Sequence, residues 1–172
     1  TPSANGCPGT PLDVTVNVSP KPFITDPPTS FIQEICSGTP FIFSPTSPVP
    51  GTTFNWTTTI IGTLTGVNAS GTGATITDNP VNATNSNGVI IYTITPTIGG
   101  CDGTPVNLVV TVRPVTSATA SNQTICSGES TSIGITNPNS VAGTTYSWTA
   151  VATNVSGASA GSGNTISQLL VN

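Results

Sequence analysis

The sequence repeats itself with a period of about ninety residues. The phrase Ile-Cys-Ser-Gly stands at 35–38 and again at 125–128, an offset of 90. Two longer phrases return in the same order: "GTTFNW" at 51–56 as "GTTYSW" at 143–148, and "GTGATI" from Gly71 as "GSGNTI" from Gly161. Self-similarity at a fixed period is the signature of a small domain repeated along the chain. The chain is therefore expected to fold as an array of related domains.

The start of the chain belongs to the same scheme. "NGCPGTPLDVTVNVSP", which ends at Pro20, matches "GGCDGTPVNLVVTVRP", which ends at Pro114, with an offset of 94. We therefore divide the chain into the C-terminal hairpin of a preceding repeat (1–22), a complete repeat (23–114) and the N-terminal part of a third repeat that lacks its last two strands (115–172). A domain that stops in mid-sheet leaves an unpaired edge. We expect that these residues belong to a longer chain or that another copy supplies the missing strands.

Apolar and polar residues alternate within the complete repeat. A period of two is typical of strands that bury one face, and clusters of Gly, Pro, Asn and Ser between the segments favour turns. The alternating residues are Phe41 and Phe43, Phe54 and Trp56, Ile91 and Thr93 opposed to Tyr92 and Ile94, and Leu108, Val110 and Val112. Six or seven short strands in about ninety residues predict an all-β fold of tandem immunoglobulin-like sandwiches.

The two tryptophans occupy equivalent positions in their repeats. Trp56 follows Cys36 by 20 residues, and Trp148 stands in the matching phrase of the third repeat. An exposed tryptophan can act as a stacking platform for a sugar, but a position on a central strand favours burial. We take Trp56 and Trp148 as markers of the core.

Charge is nearly absent from this chain. It has two basic and six acidic residues among 172, whereas about a quarter of an average globular chain is charged. There is consequently no basic field for nucleic acid or for an anionic membrane surface, and neither is expected as a partner. No run of residues approaches the roughly 18 consecutive apolar residues of a membrane span, so membrane insertion of this segment is not expected.

Candidate chemistry is equally scarce. The absence of histidine removes the usual general base, the usual zinc ligand and the common nucleophile pairs. The gaps between the cysteines are 29, 65 and 25 residues, unlike the close pairs of a zinc site. Glu34 and Glu129 occupy non-equivalent positions and are better explained as solvated carboxylates than as an acid/base pair. We predict no catalytic, cofactor-binding or metal site, although calcium held between domains by distant loops stays open.

The four cysteines suit disulfides in an oxidising environment. A bond between Cys36 and Cys101 would lie inside the complete repeat and would contribute roughly 4 kcal/mol on the chain-entropy model. In a simple sandwich, however, these two positions lie at opposite ends, and a disulfide needs Cα atoms within about 7 Å. The alternative is that Cys7, Cys36, Cys101 and Cys126 form bonds between repeats or between chains. The sequence leaves both alternatives open, and free thiols as a third.

The ordered phrases resemble a known class of repeat. "NQTICSGESTSIGI", "GTTYSWT", "VSGASAGSGNTI" and "VIIYTITPT", followed by "GCDGTPVNLVVTVRP", are similar to the PKD-like, immunoglobulin-like repeats of very large surface proteins of Bacteroidota. Gliding-motility adhesins and other cargo of the type IX secretion system carry such arrays. The resemblance implies an extracellular or cell-surface location, a role in adhesion or as a spacer, and no enzymatic activity.

Two functional hypotheses follow. The first is a structural or adhesive module whose partners are neighbouring repeats or other copies of the protein, stacked into a stalk or filament. The second is a ligand-binding module, most plausibly for surface glycans, that uses the Asn-, Thr- and Gly-rich loops at one end of the sandwich.

Overall fold

The computed structural model describes residues 1–172 and contains strands, turns and one short 3-10 helix, Pro28–Phe31. The first hairpin consists of β1 (Ser3–Ala4) and β2 (Cys7–Pro8). The complete repeat contains β3 (Ile32–Cys36), β4 (Phe41–Phe43), β5 (Thr53–Ile61), β6 (Leu64–Thr65), β7 (Ser70–Gly73), β8 (Ile76–Asp78), β9 (Val81–Asn82), β10 (Gly88–Ile98), β11 (Cys101–Asp102) and β12 (Val106–Arg113). The third repeat contains β13 (Glu129–Ser130), β14 (Ile133–Gly134), β15 (Ser147–Trp148), β16 (Gly161–Ser162), β17 (Thr165–Ile166) and β18 (Leu169–Leu170).

The complete repeat is a two-layer sandwich. Its larger sheet has the strand order β3-β12-β10-β5-β7, with β11 paired to β10, and a second layer is formed by β4 and β8. Strand β3 runs parallel to β12, while all the other pairs are antiparallel. The predicted all-β, immunoglobulin-like class is thus confirmed.

The core lies between these two layers. The alternation places Tyr92 and Ile94 inward and leaves Ile91 and Thr93 on the outer face of β10. Ile76 and Ile90, which the alternation pattern did not single out, also belong to the core. Each buried aliphatic or aromatic side chain contributes roughly 1.5–3 kcal/mol of hydrophobic stabilisation. The buried apolar residues are Phe41, Phe43, Phe54, Trp56, Ile76, Ile90, Tyr92, Ile94, Leu108, Val110 and Val112.

A polar network crosses this apolar core. The Tyr92 hydroxyl donates to Oδ2 of Asp78 at 2.6 Å, and the backbone and side-chain N–H groups of Asn68 donate to Oδ1 at 3.0 and 2.6 Å. The Tyr92 ring stacks on Phe41 with centroids 5.6 Å apart. Burial, followed by the hydrogen bond to Asp78 and the charge of that carboxylate, raises the pKa of Tyr92 far above its usual value. The hydrogen bond from Tyr92 to Asp78 thus joins β10 of the larger sheet to β8 of the second layer.

The chain enters and leaves the complete repeat at opposite ends. The hairpin between β10 and β11 lies at the end where the chain enters, since Gly103 lies close to the backbone oxygen of Pro22. The turn after β3 lies at the end where the chain leaves, since Cys36 is opposite Arg113. We call these the entry pole and the exit pole. They are separated by the 11 residues of β10, or roughly 35 Å.

The first twenty residues reproduce the closing hairpin of a repeat. Ala4 is opposite Cys7, as Ile98 is opposite Cys101, and the turn between them has positive φ at both central positions (Asn5 and Gly6). Such a turn matches the twist of a hairpin. Beyond β2 the segment forms no strand, and all of residues 1–20 are exposed.

The third repeat keeps the pairing of the complete repeat but not its core. Ile133 is opposite Ile166, as Phe43 is opposite Ile76, and Trp148 is opposite Gly161, as Trp56 is opposite Gly71. Thr131 is the one buried residue among 115–172. Among residues 115–172 no strands correspond to β10 and β12.

Candidate functional site

The repeated phrase Ile-Cys-Ser-Gly forms the turn at the exit pole. The N–H of Thr39 donates to the carbonyl of Cys36 at 3.1 Å, and Gly38 has a φ of +78°. A turn with positive φ at its third position favours glycine. The Ser37 hydroxyl accepts from the N–H of Asn82 at 2.8 Å and thereby ties the turn to β9. The phrase is therefore a structural unit in which Ile35 packs against the core.

The same unit recurs in the third repeat. The N–H of Glu129 donates to the carbonyl of Cys126 at 3.1 Å, and Gly128 has a φ of +87°. The Ser127 hydroxyl accepts from the N–H of Asn172 at 3.0 Å. In both repeats the cysteine of the phrase is exposed.

The structure does not bring the candidate disulfide partners together. Cys36 lies at the exit pole, Cys101 lies at the entry pole roughly 35 Å away, and all four thiols are free. A disulfide inside the complete repeat therefore does not fit this strand register. Cys101 instead lies in the hairpin whose Gly99 approaches Ser19, at the end of the preceding segment.

The exit pole meets the third repeat at a shallow crevice of about 410 Å³. Its lining residues are Asn85, Ser86, Asn87, Arg113 and Pro114 from the complete repeat, and Val141 and Ala142 from the third. Arg113 forms an ion pair with Glu34 of the neighbouring strand, inside the complete repeat, and both side chains are more than half exposed. An exposed pair of this kind is worth about 0–1 kcal/mol, and it does not join the two repeats because both partners belong to the complete repeat.

A protein-family comparison bears on this arrangement. A family model described as "PKD-like domain" matches the chain over residues 33–116 and again over residues 123–172. The chain belongs to the PKD-like domain family. The sequence resemblance to PKD-like repeats is thereby confirmed, while the link to surface proteins of Bacteroidota stays a prediction. No curated protein and no solved structure matches the chain.

PKD-like domains are in general non-catalytic, immunoglobulin-like modules that are typically extracellular. Three of the six carboxylates of this chain accept hydrogen bonds from its backbone N–H groups. Asp78 accepts three hydrogen bonds in the core, Asp26 accepts from the backbone and hydroxyl of Thr46, and Glu129 accepts from the N–H of Cys126. No group of three or more potential metal ligands occurs, and no helix is long and apolar enough to cross a membrane.

The PKD-like core encloses the tryptophan of the complete repeat. Trp56 is 9% exposed and packs beneath Gly71 of the edge strand β7, and Trp148 packs beneath Gly161 in the same way but is half-buried. With Tyr92 also fully buried, the complete repeat presents neither tryptophan nor tyrosine as a flat platform for a sugar ring. Trp56 belongs to the buried core, whereas Trp148 is half-buried in the third repeat.

The contact between Trp56 and Gly71 predicts a sharp effect of one methyl group. A Cβ on residue 71 would lie 2.6 Å from Cε2 of Trp56, which no real contact tolerates. We expect Gly71→Ala to lower the free energy of unfolding by about 1–3 kcal/mol, the usual cost of overpacking. Urea denaturation, followed by tryptophan fluorescence, measures this change in the free energy of unfolding. Thr72→Ala, on the exposed face of the same strand, is the control and is expected to change stability by less than about 0.5 kcal/mol. Equal stability of the two variants would contradict the described packing.

Proposed function

We propose that this PKD-like chain is a structural or adhesive module of a large extracellular bacterial surface protein, in which successive repeats form a stalk or fibre. The observation that carries the proposal is the position of the two chain ends of the complete repeat at opposite poles, roughly 35 Å apart. A domain whose two chain ends lie at opposite poles lengthens the array with every repeat that is added.

The surface chemistry supports the same role. With two basic and six acidic residues, the chain offers little for salt to screen. Contacts between such repeats therefore depend on shape, hydroxyl groups and apolar side chains. An array of this kind is stabilised by each repeat and by its interface with the next one.

Labelling of producing cells tests the proposal. Gold-conjugated antibodies raised against residues 23–114 are expected to decorate extended structures outside the cell envelope in electron micrographs. Label confined to the cell interior would contradict it. A glycan array probed with residues 23–114 tests the alternative, a carbohydrate-binding module. Dose-dependent binding to one glycan that is lost when loop residues 85–87 are changed would favour that alternative.

The poles also predict how the cysteines pair when the protein is oxidised. The turn cysteine at the exit pole of one repeat faces the entry pole of the next, where the hairpin cysteine of a complete repeat lies. We therefore expect non-reducing mass spectrometry of native material to join the turn cysteine of one repeat (the type of Cys36 and Cys126) to the hairpin cysteine (the type of Cys7 and Cys101) of the repeat that follows it in the array. A peptide that joins Cys36 to Cys101 of the same repeat would contradict the pole assignment.

A further inference from the structure

Each repeat has a loop at its entry pole that leads into the phrase Gly-Thr-Thr. In the complete repeat this loop occupies residues 47–50 and lies beside the hairpin of β10 and β11, because Thr53 is opposite Thr97. In the third repeat the corresponding loop occupies residues 137–142. We call these two segments the entry loops. The entry loop of the third repeat is longer by two residues.

Hydrogen bonds identify the two extra residues. In both loops, the first threonine of the phrase donates its hydroxyl to the carbonyl of a valine at 2.7 Å and hydrogen-bonds with the polar side chain that opens the loop. A proline follows that opening residue in both repeats. The corresponding residues are Ser47, Pro48, Val49 and Thr52 in the complete repeat and Asn137, Pro138, Val141 and Thr144 in the third. Asn139 and Ser140 alone have no counterpart.

The inserted Asn139 binds the linker between the two repeats. Its Nδ2 donates to the carbonyl of Val115 at 2.7 Å, and its Oδ1 accepts from the N–H and the hydroxyl of Ser117 at 3.2 and 3.0 Å. Ser140 beside it has a φ of +53°, a left-handed conformation that a residue with a side chain seldom adopts. Such a conformation persists only where the surrounding structure imposes it. The insertion thus presents Asn139 to the linker through a strained backbone.

The complete repeat holds the other end of the linker. The N–H of Ser37, in the turn at the exit pole, donates to the carbonyl of Arg113 at 2.8 Å. Pro114 follows, and its ring locks its own φ and restricts the conformation of the residue before it. Arg113 is thus fixed to one repeat and Val115 to the other, with one proline between them. Few backbone torsions are left free at this junction.

The two repeats also meet at the crevice of the exit pole. Val141 and Ala142 of the entry loop line one side, and loop 85–87 lines the other. The buried Asn82 holds that second loop, since its Nδ2 donates to the carbonyl of Ser86 at 2.8 Å. Each wall is therefore fixed within its own repeat. In the whole chain, the folded complete repeat thus offers the entry loop a firm surface that residues 115–172 alone lack.

We infer that Asn139 is a clasp that seats the entry loop of the third repeat on the exit pole of the complete repeat and fixes the angle between the two repeats. The exit pole is then an interaction surface, and its partner is the entry loop of the repeat that follows. An entry loop without the insertion, such as residues 47–50, lacks the clasp and makes a more flexible junction. This control of stiffness deepens the proposed structural role and rests on it.

Distances between spin labels in the 172-residue chain test the clasp. One label is placed on the exposed Cys36 and the other on Thr145→Cys, an exposed position next to the entry loop. The other thiols are replaced by serine: Cys7, Cys101 and Cys126. Electron paramagnetic resonance is expected to give one narrow distance distribution. Asn139→Ala is expected to broaden it about twofold, because the free linker grows from one residue to four (114–117) and the spread of a flexible linker scales with the square root of its length.

Asn164→Ala is the matched control. It removes an exposed asparagine from the same repeat and introduces the residue type that stands at the corresponding position of the complete repeat, Ala74. It is expected to leave the distance distribution unchanged. Deletion of residues 139–140 gives the third repeat an entry loop as short as residues 47–50, and this variant is expected to broaden the distribution as much as Asn139→Ala does.

Hydrogen exchange at two amides separates loss of the clasp from loss of the fold. The N–H of Ser117 bonds to Asn139, whereas the N–H of Thr119 bonds to the carbonyl of Thr136. In Asn139→Ala, exchange is expected to become faster at Ser117 and to stay unchanged at Thr119. Faster exchange at both amides would show that Asn139 holds the fold of the third repeat, and would overturn its role as a clasp.

Two results of the distance measurement would also overturn the inference. One is a broad distribution in the labelled chain that retains Asn139, and the other is an equally narrow distribution in Asn139→Ala and in the deletion variant. Surface fibres on cells together with either result would refute the clasp and leave the proposed function standing.

Discussion

Residues 23–114, produced alone, are expected to unfold in one cooperative transition, and residues 115–172, produced alone, are expected to show none. The complete repeat contains the whole buried core of eleven apolar residues, whereas the third repeat buries Thr131 alone. A domain of the first kind has a free energy of unfolding of about 5–15 kcal/mol. Without strands equivalent to β10 and β12, the shorter segment has too little buried apolar surface to offset the entropy of ordering its chain.

Calorimetry and circular dichroism of the two fragments measure this difference. Both fragments are compared at one concentration, and sedimentation confirms that each is monomeric. A sharp, reversible heat-absorption peak from monomeric residues 115–172 would show that this part needs no strand from elsewhere.

The buried phenol predicts a second large effect. Tyr92→Phe removes the donor to Oδ2 of Asp78 and leaves that buried carboxylate with the N–H groups of Asn68 alone. Loss of one partner of a buried charged group costs about 1–3 kcal/mol, and the cost should appear in urea denaturation at pH 7. Tyr146→Phe, in the third repeat, is the matched control and is expected to leave the unfolding of the complete repeat unchanged.

The same residue sets the response to alkaline pH. Because burial and Asp78 raise the pKa of Tyr92 in the folded protein, the unfolded chain loses the phenolic proton first as pH rises. The stability contributed by the protonated phenol is therefore complete below about pH 10 and falls above it, by up to about 1.4 kcal/mol for each pH unit. Denaturation midpoints between pH 8 and 11.5 should show this decline in the wild type and lack it in Tyr92→Phe. A parallel decline in both proteins would assign the alkaline loss to other groups.

Much of the fold could be predicted from the repeat and from the period-two pattern. The alternation at Phe54 and Trp56 and at Leu108, Val110 and Val112 depends on local geometry alone, since successive side chains of a strand face opposite sides. Ile76 was not singled out because it is the only apolar residue of its strand, Ile76–Asp78, and an alternation needs at least two. The network of Tyr92, Asp78 and Asn68 could not be predicted either, because it joins residues from different strands and loops.

The cysteines show a different limit of the sequence. Spacing alone left a bond within one repeat and a bond between repeats equally open. Strand register decides where each thiol lies: Cys36 beside the end of β12, and Cys101 beyond the far end of β10. The sequence could mark the phrase Ile-Cys-Ser-Gly as a unit, but the roles of Ser37 and Gly38 in the turn depend on β9, which is distant in sequence.

Electron microscopy of the native protein, isolated from cells without reducing agent, tests the central claim most directly. The account predicts unbranched rods or fibres with a regular axial period of roughly 35–45 Å, set by the length of β10 and a short linker. Compact particles without an axial repeat, at concentrations where the protein is intact, would contradict the claim that these PKD-like repeats stack pole to pole into a structural array.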